Sequence, residues 1–478
     1  MHHHDLVLSS LAPGPILVVA PHPDDECLGA AGFISMAVAA GHEVHVLFFT
    51  SGDGFVQDAQ RYYLSLTVTP EEYLHLGYER QKEAVNALTS LGVESSQIHF
   101  LGFPDGGLDA LYRSHWFDPF ESPTTTLNAV PYLDAAGGAL TYRGHDLWLV
   151  VHQIMDQVQP RIVVLPHPID GHPDHWATHS FARLALLSAE AKGRSWALQA
   201  TVLSYLVHWP AWPMPLGLRT HLEQRPPNGL NQPSRIWRKT VLNQAAIESK
   251  QRTMTIYTSQ MELIKPYMLA FVRSTEAFEV DPTRTIKGAE GKDPRLPLQG
   301  WNAEDTIAYA MPQGDFMTRM AKGVNIIDRL EWSCSEGYGY LRLRWQEHRD
   351  RPNLRAVVRM HWPGGEAPDT WCFDLETGEL LGEAIGDLRS RVAQQTLAVS
   401  WPLSLWQDRS RLMLGVEVLE GSRVVGRSGY LAYHWVQTPL PEGMNEDEAL
   451  KHRMDIGGHG GDQRPGGPGA TAGRRTIL

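Results

Sequence analysis

With 478 residues, 42% of them hydrophobic, the chain can bury full cores in two domains without covalent staples. A formal net charge of −12 argues against a nucleic-acid partner, because phosphate binding needs clustered Lys and Arg. Three cysteines, Cys27, Cys334 and Cys372, are too few and too scattered for a disulfide framework or a cysteine zinc site, and they fit a reducing compartment. No apolar run approaches bilayer-spanning length and no secretion signal opens the chain, so a cytoplasmic enzyme with no membrane partner is expected.

In chain order, residues 1–13, with tag-like His2-His3-His4, read as a flexible start. The apolar run 16–20 predicts a strand and the small-residue run 27–40 a helix, joined by Pro21-His22-Pro23-Asp24-Asp25-Glu26. Such a join is ordinarily Gly, Ser or Asn, whereas this one offers an imidazole and three carboxylates, a donor set suited to a divalent metal. A charged first helical turn would explain the acids but not the histidine. Further strands are predicted at Glu43–Thr50, Gln97–Phe103, Arg161–Leu165 and Thr201–Val207, and helices at 71–91, 147–158 and 175–192. This alternation predicts an α/β fold, a Rossmann-like, mostly parallel sheet flanked by helices.

Between Asp105 and Leu147 runs a long excursion rich in Pro, Thr, Gly and aromatics, read as a substrate-covering loop or a surface insertion. The Pro-rich stretch Trp209–Pro233 carries the same two readings. A second chemical cluster, Pro166-His167-Pro168-Ile169-Asp170-Gly171-His172-Pro173-Asp174-His175, follows the strand ending at Leu165. Parallel strands present their carboxyl ends on one edge, so two clusters about 150 residues apart can meet in one crevice.

Beyond residue 300 come short β-branched and aromatic runs at Tyr338–Trp345, Leu354–His361, Thr370–Phe373, Thr396–Trp401, Arg411–Leu419 and Arg423–Trp435. They predict a C-terminal all-β, sandwich-like domain over 301–440, after a catalytic domain over 14–300. Asp350-Arg351-Pro352-Asn353 reads as a turn, and Glu420-Gly421 as a hairpin with a loop of about four residues. The Gly- and Pro-rich stretch 441–478 reads as a disordered tail.

The two clusters together resemble the PIG-L/LmbE-like metal-dependent N-acetylglucosaminyl deacetylases, which carry His-Pro-Asp-Asp-Glu after the first strand and His-Pro-Asp-His further on. The resemblance extends to Thr50-Ser51-Gly52-Asp53-Gly54, Arg80-Gln81-Lys82-Glu83-Ala84 and Leu101-Gly102-Phe103-Pro104-Asp105-Gly106, and covers about residues 14 to 260. The paired motifs are specific and the rest are not. Near the end of the resemblance, Tyr257 stands where a His is common in the family, which leaves Lys250, Tyr257 and Gln260 only as candidates for lining the crevice.

The resemblance implies His22, Asp25 and His175 as metal ligands, a set of two histidines and one carboxylate that suits Zn2+ first and also Fe2+. Asp24, too close in sequence to Asp25 to share its ion easily, is placed as general base toward a water activated by the metal. A cationic His172 is expected to stabilise the oxyanion. His172 can also protonate the leaving amine with Asp174 holding its imidazole, or Asp24 can return the proton it took. Glu26 is expected to cap the helix or hold a neighbouring backbone. Arg80 and Asp105 are expected at sugar hydroxyls or another polar substrate group, with a buried Arg80–carboxylate pair as the alternative. His208 either faces the crevice or sits in the core. The expected substrate is a small acylated amino sugar or conjugate. Two other readings stand beside this one: a carbohydrate-binding or scaffolding protein with tryptophan platforms in the β domain, and a metal-dependent phosphoesterase that enlists Asp53 and Asp105.

Overall fold

The chain was analysed as a computed structural model that describes residues 4–6, 13–209, 211–231, 235–287, 307–309, 325–335, 338–346, 353–383, 386–406 and 409–436. The expected turn at 350–352 and the tail over 441–478 lie outside the described residues.

The first sheet contains β1 (His4–Asp5), β2 (Ile16–Ala20), β3 (Val44–Thr50), β4 (Ile98–Phe103), β5 (Ile162–Pro166), β6 (Thr201–Tyr205), β7 (Trp237–Val241) and β8 (Thr275–Val280), ordered β1-β7-β8-β6-β5-β2-β3-β4. From β4 to β6 all neighbours are parallel, whereas β8 runs antiparallel to both β6 and β7. The strands are apolar on both faces because both are covered. Leu17, Val19, Leu47, Phe49, Val163 and Leu165 enter one core, and Ile16, Val18, Val46, Phe48, Ile162 and Val164 enter the other.

The helices are α1 (Asp25–Ala39), α2 (Val56–Tyr62), α3 (Pro70–Ser90), α4 (Leu108–Arg113), α5 (Gly144–Val158), α6 (Pro173–Ala191), α7 (Ser195–Leu198), α8 (Gln244–Met254) and α9 (Thr258–Leu269). Each begins where its sequence allows. Thr69 and Glu72 form a reciprocal capping box ahead of Pro70 at α3, and His172 caps α6 ahead of Pro173. The predicted strands and long helices agree with these elements to within a few residues. The short α2 and α4, and everything from β7 to β8, had no sequence-level assignment. No helix among the described residues is long and apolar enough to cross a membrane.

The β region is all-β as expected. It contains β9 (Arg284–Lys287), β10 (Ile307–Tyr309), β11 (Ile327–Ser335), β12 (Tyr338–Trp345), β13 (Leu354–His361), β14 (Asp369–Asp374), β15 (Leu380–Leu381), β16 (Arg389–Ala393), β17 (Thr396–Pro402), β18 (Arg411–Glu420), β19 (Arg423–Arg427) and β20 (Leu431–Val436). One sheet is ordered β10-β11-β12-β17-β16 and the other β15-β14-β13-β18-β20-β9, with β19 paired to β18. The pairs are antiparallel except β20 with β9, so the segment 284–287 joins this region by strand pairing. Arg423–Trp435, read as one run, is two strands, and Glu420 pairs with Arg423, so that hairpin turns over two residues and not four.

Trp362, Trp371, Trp401, Trp406 and Trp435 are buried and pack ring against ring in the core of this region. Buried rings cannot serve as sugar platforms, which removes the basis of the carbohydrate-binding reading. Met413, Tyr430 and Ala432 of the β region share the core cluster of Leu17, Val19 and Val163, and the described residues form one compact unit.

Candidate metal centre

The strand order places the site. β2 and β5 are neighbours, with β3 beyond one and β6 beyond the other, so the sheet order reverses direction between them. A crevice opens at the carboxyl ends of the strands at such a point. Both clusters leave from it, the first after Ala20 and the second after Leu165.

Asp25 is the centre of the arrangement. Its Oδ2 lies 2.9 Å from His22 Nδ1 and 3.1 Å from His175 Nε2. Donor atoms about 2.1 Å from a four-coordinate ion lie roughly 3.4 Å apart, so each of these two spacings is near that of neighbouring donors on one ion. The opposite ring nitrogens face other carboxylates. His22 Nε2 lies 3.2 Å from both Asp105 Oδ1 and Asp174 Oδ2, and His175 Nδ1 lies 3.4 Å from Asp170 Oδ2. A carboxylate behind each imidazole is the usual way to fix the ring and raise the basicity of a ligand histidine.

A direct test of fit is His175. It is fully buried, and neither ring nitrogen has a hydrogen bond of good geometry, although both face carboxylates. Burial opposes charge on this ring, but Asp170 and Asp25 outweigh it and hold its pKa up at about 10. For Asp25, burial is likewise outweighed, and the two histidines keep its carboxyl well below the usual range. A pocket whose field favours added positive charge, with unsatisfied nitrogens at its centre, fits a divalent cation.

Among the described residues, the groups whose donor atoms all lie within 4.8 Å of one another are His22, His172 and His175; Asp25, His175 and His208; and His22, Asp105 and Asp174, with His22, Asp25 and His175 divided among them. Among the described residues each of these groups includes His22 or His175, so they form one basin.

Asp24 precedes Asp25 with φ of 124°, a backbone conformation that non-glycine residues rarely adopt. Burial and the Asp25 charge push the Asp24 carboxyl up, and Arg80, 3.6 Å away, opposes them. Glu26 is fully buried and accepts from the Asp24 amide at 3.1 Å and from Cys27 Sγ and Tyr257 OH, which matches its expected supporting role.

Several expectations are corrected. Arg80 does not present a free guanidinium to the crevice. It donates at 2.8 Å to the carbonyls of Gly52 and Pro23 and pairs with Asp24, which is the buried-pair alternative. Asp105 is also engaged by the chain, with Oδ2 accepting from Gly54 N at 2.8 Å and Oδ1 facing His22. The Asp174 carboxylate accepts from the amides of Gly106 at 2.7 Å and Leu108 at 3.1 Å and faces His22; only its backbone N–H reaches His172 Nδ1, at 3.2 Å. Burial, reinforced by His22, pushes His172 down to about 4, so the ring is neutral and not cationic. With Nδ1 accepting from an amide, its proton sits on Nε2.

Lys250, Tyr257 and Gln260 do not line the crevice either. Lys250 is buried against Glu276, Tyr257 against Glu26, and Gln260 against Asp58. His208 does join the basin, with its ring 4.6 Å from that of His175 and 5.1 Å from that of His172. The Asp105–Leu147 excursion packs inward. Val130, Tyr132 and Tyr142 are core residues, and Tyr132 OH donates to Asp53 at 2.6 Å. Asp53 is pushed up to about 7 by burial and by Asp105.

Sequence reasoning missed Asp170. Besides facing His175, it accepts from the amides of His172, Val207 and His208, each at 3.0 Å. Its position five residues before His175, in a turn with Gly171, was the available signal. His167, in the same cluster, turns away and pairs with Glu279 at 2.7 Å.

Part of the chain is similar to known proteins. The model of the PIG-L family, GlcNAc-PI de-N-acetylase, matches residues 17–186. The 1D-myo-inositol 2-acetamido-2-deoxy-alpha-D-glucopyranoside deacetylase of Mycobacterium sp. (strain KMS) is 33% identical over 191 residues, 38% of this chain and 53% of that protein. Its namesake from Mycolicibacterium smegmatis is 32% identical over 193 residues, 39% of this chain and 58% of that protein. The chain thus spans about half the length of the curated relatives it matches. Among solved structures, N,N'-diacetylchitobiose deacetylase from Pyrococcus horikoshii is 19% identical, covering 56% of this chain and 84% of that one with a TM-score of 0.36.

Proposed function

We propose that this chain, which carries a PIG-L family domain over residues 17–186, is a metal-dependent hydrolase that removes an N-acetyl group from an amino sugar or amino-sugar conjugate. The observation that carries the reading is Asp25 Oδ2 between His22 Nδ1 and His175 Nε2, with a carboxylate behind each ring and Asp24 alongside. The names of the relatives support the N-acetyl amino-sugar bond as its target.

In this reading His22, Asp25 and His175 hold the ion. Zn2+ is the first choice for the donor set and Fe2+ the second. The ion supplies Lewis acidity, polarising the amide carbonyl and acidifying water. Asp24 accepts the proton as water oxygen bonds to the acyl carbon, and its contact with Arg80 holds the carboxylate in place. His172, neutral with its proton on Nε2, donates toward the developing oxyanion. As the carbon–nitrogen bond breaks, Asp24 returns the proton to the amine, and acetate and a free amino sugar leave. Asp105, Asp170 and Asp174 orient the two ligand histidines, and His208 faces the substrate. A cytoplasmic setting fits the cysteine usage.

The test is to load the full-length protein with Zn2+ or Fe2+ and offer N-acetylglucosamine, N-acetylglucosaminyl-inositol and an acetyl-lysine peptide, reading acetate and free amine. Release from a sugar substrate in preference to the peptide is expected. Release from none of them, or from the peptide alone, would overturn the reading.

A further inference from the structure

The β region contacts the turn of the proposed metal site directly through the Arg427 side chain. Arg427, at the end of β19, donates from Nη2 to the main-chain carbonyl of Asp170 at 3.0 Å. That carbonyl lies in the β5–α6 turn, which carries Asp170 and His172 and leads into Asp174 and His175 in the first turn of α6. Arg427 is itself held on both sides of its backbone. Its amide donates to Asn325 Oδ1 at 3.3 Å, and its carbonyl accepts from Asn325 Nδ2 at 3.1 Å.

The same guanidinium lies 4.5 Å from the ring centroid of Trp176, the residue after His175. Arg113 approaches the same indole at 4.9 Å, and Tyr430 stacks on it at 5.5 Å. A desolvated cation over an indole is a strong contact, and two of them with a stacked phenol leave Trp176 little freedom. Arg113 is tied back to the β region through Glu417 of β18, its Nε donating at 2.8 Å. Arg113 also ends α4, and the amides at the start of that helix hold the Asp174 carboxylate. Two residues past Arg427, a Cβ on Gly429 would lie 3.2 Å from side-chain atoms of both Pro168 and Ile169, so the backbone at Gly429 packs closely on the start of that turn.

From this we infer that Arg427 is a positioning residue for the metal centre, and that the β region is a working part of the site. By fixing the Asp170 carbonyl and the Trp176 indole, it holds the turn that aims Asp170 at His175 and His175 at Asp25. The inference rests on the reading that His22, Asp25 and His175 hold a divalent ion, and it goes beyond the family domain, which ends at residue 186.

The experiment uses the full chain and three variants: Arg427→Gln, Arg427→Lys and Leu397→Ala. Leu397 is a fully buried residue of β17 and stands as a control for stability of the β region. Zn2+ affinity is measured by competition with a chelating dye, and hydrogen exchange across 166–176 is followed in metal-free protein. Removing an outer-shell partner of a metal ligand typically costs roughly 10- to 100-fold in affinity, and that loss is expected for Arg427→Gln, with faster exchange in 166–176. On a turned-over substrate kcat falls and KM holds. Arg427→Lys, which keeps the charge, shows the same changes at smaller size and carries the test if Arg427→Gln does not fold. Leu397→Ala lowers the thermal midpoint and leaves Zn2+ affinity and the 166–176 exchange as in wild type. Unchanged affinity and exchange in the folded Arg427 variants, or an equal loss in Leu397→Ala, overturns the inference. A wild-type protein that binds Zn2+ but hydrolyses nothing sinks the deacetylase reading and leaves this inference standing; one that binds no divalent ion sinks both.

Discussion

Asp24 is a non-glycine residue with φ of 124°, and such a backbone costs on the order of 1–3 kcal/mol unless its surroundings enforce it. Here they do. Its amide donates to Glu26, its carbonyl accepts from Cys27 and Leu28, and the preceding carbonyl of Pro23 accepts from Arg80. In the proposed division of roles, Asp25 serves a metal and Asp24 a proton. Two substitutions separate the proposed roles. Asp24→Asn keeps the shape and is expected to retain metal while losing turnover by on the order of 10²–10⁴-fold. His175→Ala is expected to lose metal outright. Elemental analysis alongside acetate release checks both, and full activity in the first or full occupancy in the second contradicts the assignment.

Among the elements, α1 shows how a helix bearing part of the site is held in place. The amides of Gly32 and Phe33 donate to the Glu276 carboxylate at 2.9 and 2.7 Å, and Lys250 donates to the Leu28 carbonyl at 2.9 Å. Lys250 and Glu276 pair at 2.6 Å with no exposure of either side chain, so α8 and β8 grip the middle of α1. A Cβ at Gly32 would lie 2.5 Å from a Leu242 methyl, so this approach needs glycine. Breaking a buried pair from one side strands the other charge, and Lys250→Met is expected to destabilise the protein by about 3–5 kcal/mol. The double variant Lys250→Met/Glu276→Gln recovers part of that loss. Urea unfolding of the single and double variants measures it, and a single variant as stable as wild type contradicts the gripping role.

Across the whole molecule, the parallel sheet and the β region are joined through their interiors. Met413, Tyr430 and Ala432 sit in the core of the parallel sheet, and Trp116 Nε1 donates to the Gly365 carbonyl at 3.0 Å. A shared core couples stability, because neither part can lose its packing without exposing apolar surface of the other. One unfolding transition is expected, with far-UV and tryptophan signals coincident in urea. Separate transitions would mean that the two parts fold independently and would count against the coupling.

The sequence by itself determined the alternating fold and the two chemical clusters, because apolar runs of strand length and the paired His/Asp motifs are local signals. It also placed Glu26 in a supporting role. It could not say which way Arg80, Asp105 and Asp174 face, since a buried polar group and a ligand-facing one have the same spelling. Asp170 behind His175, the Lys250–Glu276 grip and Arg427 at the Asp170 carbonyl each join residues distant in the chain or separated by a turn. Only tertiary structure decides those, because a hydrogen bond or ion pair is set by the packing that brings its partners together and removes their water.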